Sequence, residues 1–402
     1  MDNALLYRSG LTQADIASIP APRKGDQMLR LIRAAQPINR TEIVERLKVD
    51  KSTVTEIIRP LISRGILRET TRPASELGRR SKVLTFNDDA VYFAGLNLGV
   101  RRSQVGTTTL RGEIRGESDF ETPPDARKAL TVAREHIESI AKKNTGRELA
   151  IIGVSVPGMT NAERQGLVFA PNLKWKDVDI ASALKVNDNV RVVVENDSTA
   201  AALFEARLKI RDSADGLLSN FILVRSGTGI GVGLVIGSEV YRGSGLGRGI
   251  AGEFGHMTIV AGGKQCVCGN RGCWEKYASA AAAGSLYVGD RALRRGETVP
   301  RFVDIVAKAE NGETRSRRTL EKIGDYLGIG IANVIMGIGI PRVIISGRLV
   351  YAWKFIEQPM NAAIGRSIIG RTEGWSVEAG KPVGSAIGGA LEVAVEEYLR
   401  TL

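Results

Sequence analysis

Three cysteines, Cys266, Cys268 and Cys273, fall within eight positions of a 402-residue chain that has no others. An odd number packed this tightly is not a disulfide framework; it points to thiolates that share a metal ion. Ten residues before the first of them stands His256, one of only two histidines, in Glu253-Phe254-Gly255-His256. One His and three Cys close a tetrahedral zinc site with no position left for water, the pattern of a structural metal. The other histidine, His136, lies on a predicted helix and takes no role. Glu253 and Glu275 bracket the cluster without being needed as ligands, so their carboxylates could accept hydrogen bonds from hydroxyls of a bound polyol.

Two further stretches carry chemistry. Residues 227–255 hold eleven glycines in 29 positions, opening with Ser226-Gly227-Thr228-Gly229-Ile230-Gly231-Val232-Gly233. Glycine lets a backbone turn and approach a ligand, so such a loop can hold phosphate or sugar, although a purely structural glycine-rich hairpin reads the same way. Near the start of the chain, residues 23–82 contain 15 Lys/Arg against 7 Asp/Glu, which places two-thirds of the net charge of +12 in about one-seventh of the sequence. A local basic excess suits a polyanion such as nucleic acid.

The elements that must position these groups can be read from apolar spacing. A helix is predicted over about 25–35, with Met28, Leu29, Ile32 and Ala35 on one face. After Pro37, Asn39-Arg40-Thr41-Glu42 has the arrangement of a capped helix start. A third helix carries Val54, Ile57, Ile58, Leu61 and Ile62 at helical spacing, and its opposite face holds Lys51, Ser52, Thr53, Thr55, Glu56 and Arg59. Pro60 is expected to kink its far half. Two short helices joined by a tight turn, the second led by hydroxyls and cations, form a helix-turn-helix whose leading end enters a major groove. Strands at 66–69 and 83–86 around Gly78-Arg79-Arg80 resemble a wing, with Arg79 and Arg80 placed for phosphate or a minor groove. Lys51, Ser52, Thr53, Thr55, Arg59, Arg79 and Arg80 are therefore the candidate DNA contacts.

From Val91 the pattern alternates between strands (92–99, 150–156, 192–195, 221–225, 342–346) and helices (126–143, 198–208, 275–284, 318–337), which indicates α/β layers. A composition of 43% hydrophobic and 25% charged residues excludes a disordered or fibrous chain. The longest nearly apolar run, Leu327 to Ile340, is shorter than a bilayer span and contains Asn333. The opening residues lack a basic start followed by an apolar core. No secretion and no membrane span are expected, and the protein is expected in the cytoplasm.

The glycine run, the His256/Cys266/Cys268/Cys273 pattern and Glu195-Asn196-Asp197 together resemble the ROK family of bacterial sugar-responsive repressors and sugar kinases. The resemblance implies an N-terminal winged helix-turn-helix plus an α/β two-lobed, actin-like (ribonuclease H-like) domain. It also implies boundaries: a DNA-binding domain with an N-terminal arm over 1–88 and a sugar-binding domain over 89–402. Within the latter, lobe one is about 89–200 plus the C-terminal helix and lobe two about 201–384. Asn196 and Asp197 match the family's sugar-binding pair, with Asp197 where the kinases keep their base. Glu253, His256 and Glu275 match the remaining sugar contacts, so that His256 would hold zinc and touch sugar at once.

Departures from the kinase pattern point to the repressor branch. Where family kinases have Asp followed by Gly-Gly-Thr, this chain reads Asn97-Leu98-Gly99-Val100-Arg101. The charge that helps hold a divalent cation is lost, as are the small residue and hydroxyl that let phosphates approach. Ile345-Ser346-Gly347-Arg348 likewise replaces consecutive glycines beside the adenosine. The expectation is a homodimeric or homotetrameric regulator, not an enzyme, that binds a pseudo-palindromic operator, a small sugar and one structural zinc. An active ATP-dependent sugar kinase with an appended DNA-binding domain is the alternative, and a scaffold for a transport protein is a third reading.

Overall fold

Apolar residues at helical spacing build the N-terminal unit. The computed structural model describes residues 23–72, 81–89, 91–144, 146–212, 220–243, 250–289, 298–380 and 385–402. The unit runs α1 (Lys24–Ala35), β1 (Ile38–Asn39), α2 (Arg40–Leu47), α3 (Lys51–Ser63), β2 (Leu67–Arg72) and β3 (Ser81–Phe86). Met28, Leu31, Ile32, Ile43, Val54, Ile58, Leu61, Leu67, Leu84 and Phe86 fill its core. The Asn39 side chain accepts from the Glu42 N–H at 2.8 Å while the Glu42 carboxylate accepts from the Asn39 N–H at 3.1 Å, the capping box expected of that start. Lys48, left-handed at φ 51°, ends α2 and turns the chain toward α3. α3 runs through Pro60 to Ser63. β2 and β3 pair antiparallel from Leu67 opposite Phe86 to Arg72 opposite Ser81, and β1 joins β3 on the other side. Arg79 and Arg80 lie outside the described residues.

The rest of the chain forms two five-stranded sheets of matching topology. The first comprises β4 (Val91–Asn97), β5 (Arg102–Thr108), β6 (Ile114–Glu121), β7 (Glu148–Val156) and β11 (Arg191–Asn196), in the order β11-β7-β4-β5-β6. Between them come α4 (Ala126–Lys143), a small sheet of β8 (Met159–Thr160), β9 (Gly166–Ala170) and β10 (Trp175–Asp179), and α5 (Ile180–Leu184). α6 (Asp197–Asp212) leads out. The second sheet has the order β14-β13-β12-β15-β16, built from β12 (Phe221–Ser226), β13 (Ile230–Ile236), β14 (Glu239–Tyr241), β15 (Arg342–Gly347) and β16 (Ser376–Ala379). It carries α7 (Glu275–Ala278), α8 (Ala282–Val288), α9 (Phe302–Glu310), α10 (Thr314–Ile338) and α11 (Trp353–Gly365). In each sheet the first strand pairs antiparallel with the second, the second with the third, and parallel with the fourth. This repetition is the two-lobed, actin-like architecture.

α12 (Ser385–Leu399) closes the chain by returning to the first lobe, across β4, β7 and β11. It lies so close that a Cβ on Gly153 would meet the Ala390 carbonyl oxygen at 2.1 Å, which is why the middle of β7 has a glycine. The helix expected over 275–284 is split into α7 and α8. The amides of Ala280 and Ala281 turn to the Ser226 hydroxyl (3.1 Å) and the Gly227 carbonyl (3.2 Å), and Ala282 N–H is capped by Ser279 Oγ (3.1 Å), so the glycine loop takes donors a continuous helix would have used. Among the described residues no helix is long and apolar enough to cross a membrane.

Candidate functional site

The site begins where β11 passes into α6. The Asn196 side chain accepts from the N–H groups of Ser198 (2.9 Å) and Thr199 (3.2 Å) and donates to the Gly158 carbonyl at 3.0 Å. Its acceptor capacity is used in capping α6, and one amide hydrogen remains for a ligand. The cap sets Asp197 on the first turn of the helix. One oxygen of Asp197 accepts from Ser198 Oγ at 3.2 Å, and the other is ion-paired with Arg225 at the end of β12. β13 approaches this turn closely: a Cβ on Gly231 would fall 2.0 Å from Ser198 Oγ. A Cβ on Gly229 would fall 2.3 Å from Glu275 Oε2. The alternating glycines therefore let the second lobe's hairpin pass between α6 and Glu275.

Across this gap stand Glu253, His256 and Glu275. Burial together with the neighbouring charges of Asp197 and Glu275 pushes the Glu253 carboxyl up to about 7. His256 Nε2 lies 3.7 Å from Glu253 Oε2, and its Nδ1 lies 3.8 Å from Glu275 Oε1. The structure thus brings Asp197, Glu253, His256 and Glu275 into one acceptor-rich cluster, suited to the hydroxyls of a polyol.

His256 also belongs to a second group. Its Nδ1 is 3.6 Å from Cys266 Sγ, and Cys268 Sγ is 3.7 Å from Cys273 Sγ. The four ligand atoms all lie within 4.8 Å of one another. A zinc tetrahedron with bonds of roughly 2.3 Å to sulfur has edges of roughly 3.8 Å, so these donors fit such an ion in kind and in spacing. Burial raises the Cys266 and Cys273 thiols above their ordinary range, a cost that a bound dication reverses by taking the thiolates as ligands. Trp274, fully buried and donating from Nε1 to the Tyr326 carbonyl at 2.9 Å, fastens the loop to α10. Glu275 joins the two groups, with Oε1 accepting from Cys266 Sγ at 3.2 Å and Oε2 facing Gly229.

The segment Asn97 to Arg101 is the turn between β4 and β5. Asn97 is buried, within 3.5 Å of Ser155 Oγ, and the Gly99 carbonyl accepts from Thr122 Oγ1 at 2.8 Å. Five of the candidate DNA contacts lie elsewhere, on α3. Lys51, Ser52 and Arg59 are exposed; Thr53 and Thr55 are half-buried. Thr55 Oγ1 donates to the Lys51 carbonyl at 3.0 Å, so part of its hydrogen-bonding capacity is spent within the helix.

Arg225 and Arg242 join the site from positions that no motif marks, and Glu195 gains a role beyond adjoining Asn196-Asp197. Arg242 Nε donates to Glu195 Oε2 at 2.6 Å, and Arg164 Nη2 lies 3.2 Å from the same oxygen. Glu195 directly precedes the Asn196-Asp197 pair and is buried. A signal was present: Arg225 interrupts Phe221-Ile222-Leu223-Val224, and a cation at the end of a buried strand needs a partner.

A profile of the ROK family matches residues 93–392, and one of the MarR family matches residues 27–76. The chain is 31% identical over 355 residues to the Xylose repressor of Bacillus subtilis (strain 168), covering 87% of this chain and 89% of that protein. A crystal structure of a ROK family transcriptional regulator, described as a homolog of the E. coli MLC protein, superposes with a TM-score of 0.74 at 23% identity, over 94% of this chain and 96% of the other. A ROK family glucokinase from Streptomyces griseus, in complex with glucose and AMPPNP, superposes with a TM-score of 0.64 at 23% identity, over 75% of this chain and 99% of that one. At these identities the two structures bear on the fold alone.

Proposed function

Because the chain belongs to the ROK family, we propose that it is a sugar-responsive transcriptional regulator, a repressor, that binds operator DNA through α3 and the wing and takes a sugar at Asn196, Asp197, Glu253, His256 and Glu275. The DNA-binding domain spans 1–88 and the sugar-binding domain 89–402. His256, Cys266, Cys268 and Cys273 hold one structural zinc, and Glu275 carries that order into the sugar site. Two chains read a pseudo-palindrome in the cytoplasm, since an isologous dimer presents two α3 helices related by a two-fold axis.

The observation that carries the reading is the state of Asp197 in a chain that also has a winged helix. A kinase base at this position must take the proton of a sugar hydroxyl. Here one carboxylate oxygen is taken by Arg225 and the other already accepts from Ser198 Oγ, which fixes the group as an anchor for a hydroxyl and leaves neither oxygen free of a protein partner. Asn97 in place of a carboxylate removes a further group that phosphoryl transfer would use. The binding half of the site is kept and the transfer half is not. Retention of Asp197 at the head of α6 and of Gly227-Thr228-Gly229 in the sequence favours, as a second reading, a sugar kinase carrying a DNA-binding domain.

Three measurements on the full chain decide between them: footprinting of the DNA upstream of its own gene, thermal shift with D-xylose, D-glucose and N-acetylglucosamine, and ATP-dependent phosphorylation of the same sugars. D-xylose comes first because the Bacillus subtilis relative is named a xylose repressor. The expected result is a protected inverted repeat released by one stabilising sugar, with no turnover of ATP. Turnover, or stabilisation without any protected DNA, overturns the reading.

A further inference from the structure

Arg30, on α1 of the N-terminal unit, sits at the meeting of three bodies. Its Nε donates to Glu396 Oε2 at 3.1 Å, and its Nη2 pairs with the other oxygen of Glu396, on α12 of the first lobe. Its Nη1 lies 2.5 Å from Glu239 Oε1 and 3.3 Å from the Ser238 carbonyl, at the head of β14 in the second lobe. Arg400, just beyond α12, grips the same two carboxylates, Glu239 at 2.8 Å and Glu396 at 3.4 Å. One guanidinium of the DNA-binding unit therefore holds both lobes at once.

The other end of β14 points to the sugar site. Arg242 follows Tyr241, the last residue of this three-residue strand, and donates to Glu195, the residue before Asn196-Asp197. Arg242–Glu195 and Arg225–Asp197 both cross from the second lobe to the first. A strand this short moves as one piece, so a change in lobe angle at Glu195 and Asp197 is carried along it to Glu239. On the N-terminal side, α1 packs through Met28, Leu31 and Ile32 into the core that holds Val54 and Ile58 of α3. We infer that Arg30 and Glu239 are the joint through which lobe movement at the sugar site reaches the DNA-reading helix, β14 being the lever.

The choice of charges supports this. A buried ion pair holds an interface no better than apolar residues of similar volume, and its best-attested use is in setting register or switching. Arg30 is about 10% exposed, Glu396 9% and Glu239 18%. Arg33, one turn along α1, supplies the contrast. It pairs with Glu392, one turn before Glu396 on α12, rather than with a residue of β14.

The inference rests on the proposed function and is tested with the full chain by operator affinity with and without the sugar that stabilises the wild type, D-xylose first. The wild-type ratio should fall in the usual range of about 5- to 150-fold. Glu239→Gln should bring it to within about twofold of unity while leaving the sugar Kd near the wild-type value. Arg30→Lys keeps the charge but not the fork that spans two carboxylates, and should act in the same direction without emptying the site. Arg33→Gln should lower the melting temperature and keep the ratio. A Glu239→Gln protein with the full ratio, or an Arg33→Gln protein that loses it equally, overturns the joint alone. A wild type whose operator affinity ignores every sugar that binds overturns the functional reading and the joint with it.

Discussion

At the scale of single residues, the cluster of His256, Cys266, Cys268 and Cys273 was legible and Arg225 was not, for different physical reasons. Cysteine is scarce in this chain, so three in eight positions with one histidine define their own chemistry. Arg225 gains its meaning only when β12 is set against the first turn of α6, a register that no local spacing encodes. Pairing changes what a substitution at Asp197 does. Asp197→Asn leaves an amide able to accept from a sugar hydroxyl but deprives Arg225 of its anion, and Arg225 Nε is already buried without a partner. The variant should lose roughly 1–3 kcal/mol of stability as well as sugar affinity, and Asp197→Asn with Arg225→Gln should recover stability without recovering the sugar. Urea midpoints and calorimetric titration with D-xylose separate the two losses; equal midpoints for the single and double variants would remove the ion pair from the account. For the metal, the wild type should carry one zinc per chain. Cys268→Ser, at the less buried of the three thiols, should carry well under one and melt earlier, by metal analysis and calorimetry. A full complement of zinc in that variant would take Cys268 out of the ligand set.

At the scale of elements, the N-terminal unit was the most readable part because its helices follow local rules. The Asn39–Glu42 capping box and the apolar face Val54, Ile58, Leu61 are where spacing puts them. The split between α7 and α8 was not readable, since it depends on amides drawn off by a loop fifty residues away in sequence. Nor was the docking of α1 on α12, which joins charges more than 350 positions apart. This contact has a pH signature. Burial would raise the Glu396 carboxyl, but Arg30 and then Arg400 and Arg242 outweigh it and hold the group below its ordinary value of 4.5. A carboxylate depressed in the folded state contributes stability that is present above the unfolded pKa and is lost as pH falls through the folded one. The share of α1 docking that Glu396 supplies should therefore be fully present above about 4.5 and be lost below it. Hydrogen exchange of α1 amides at pH 6 and pH 4, corrected for intrinsic rates, measures it. Glu396→Gln should exchange faster already at pH 6 and change less between the two, and an equal pH response in both proteins would place the acid lability elsewhere.

At the scale of the whole molecule, charge is divided as the work is. Eight of the twelve excess positive charges belong to residues 23–82, while the carboxylates of Asp197, Glu253 and Glu275 gather in the two-lobed domain, so the proposed DNA and sugar sites lie on separate bodies. That division predicts how binding should respond to salt. Each phosphate neutralised by a cation releases counterions, and the logarithm of affinity falls with the logarithm of salt by about 0.9 per contact. On a two-fold operator every contact is made twice. If Arg79 and Arg80 lie against the backbone, changing both to Ala should flatten the slope by close to four per dimer and weaken binding to any sequence by a similar factor. Ser52→Ala, at the exposed head of α3, should leave the slope unchanged and relax the preference for one base in each half-site, because a hydroxyl at a base edge specifies without neutralising. Fluorescence anisotropy with the footprinted operator and a scrambled duplex, from 50 to 200 mM salt, reads both. A double arginine variant that keeps the wild-type slope would move the wing off the DNA, and a slope change of about two would mean either that a single chain makes the complex or that one arginine of each chain meets a phosphate, which the single variants separate.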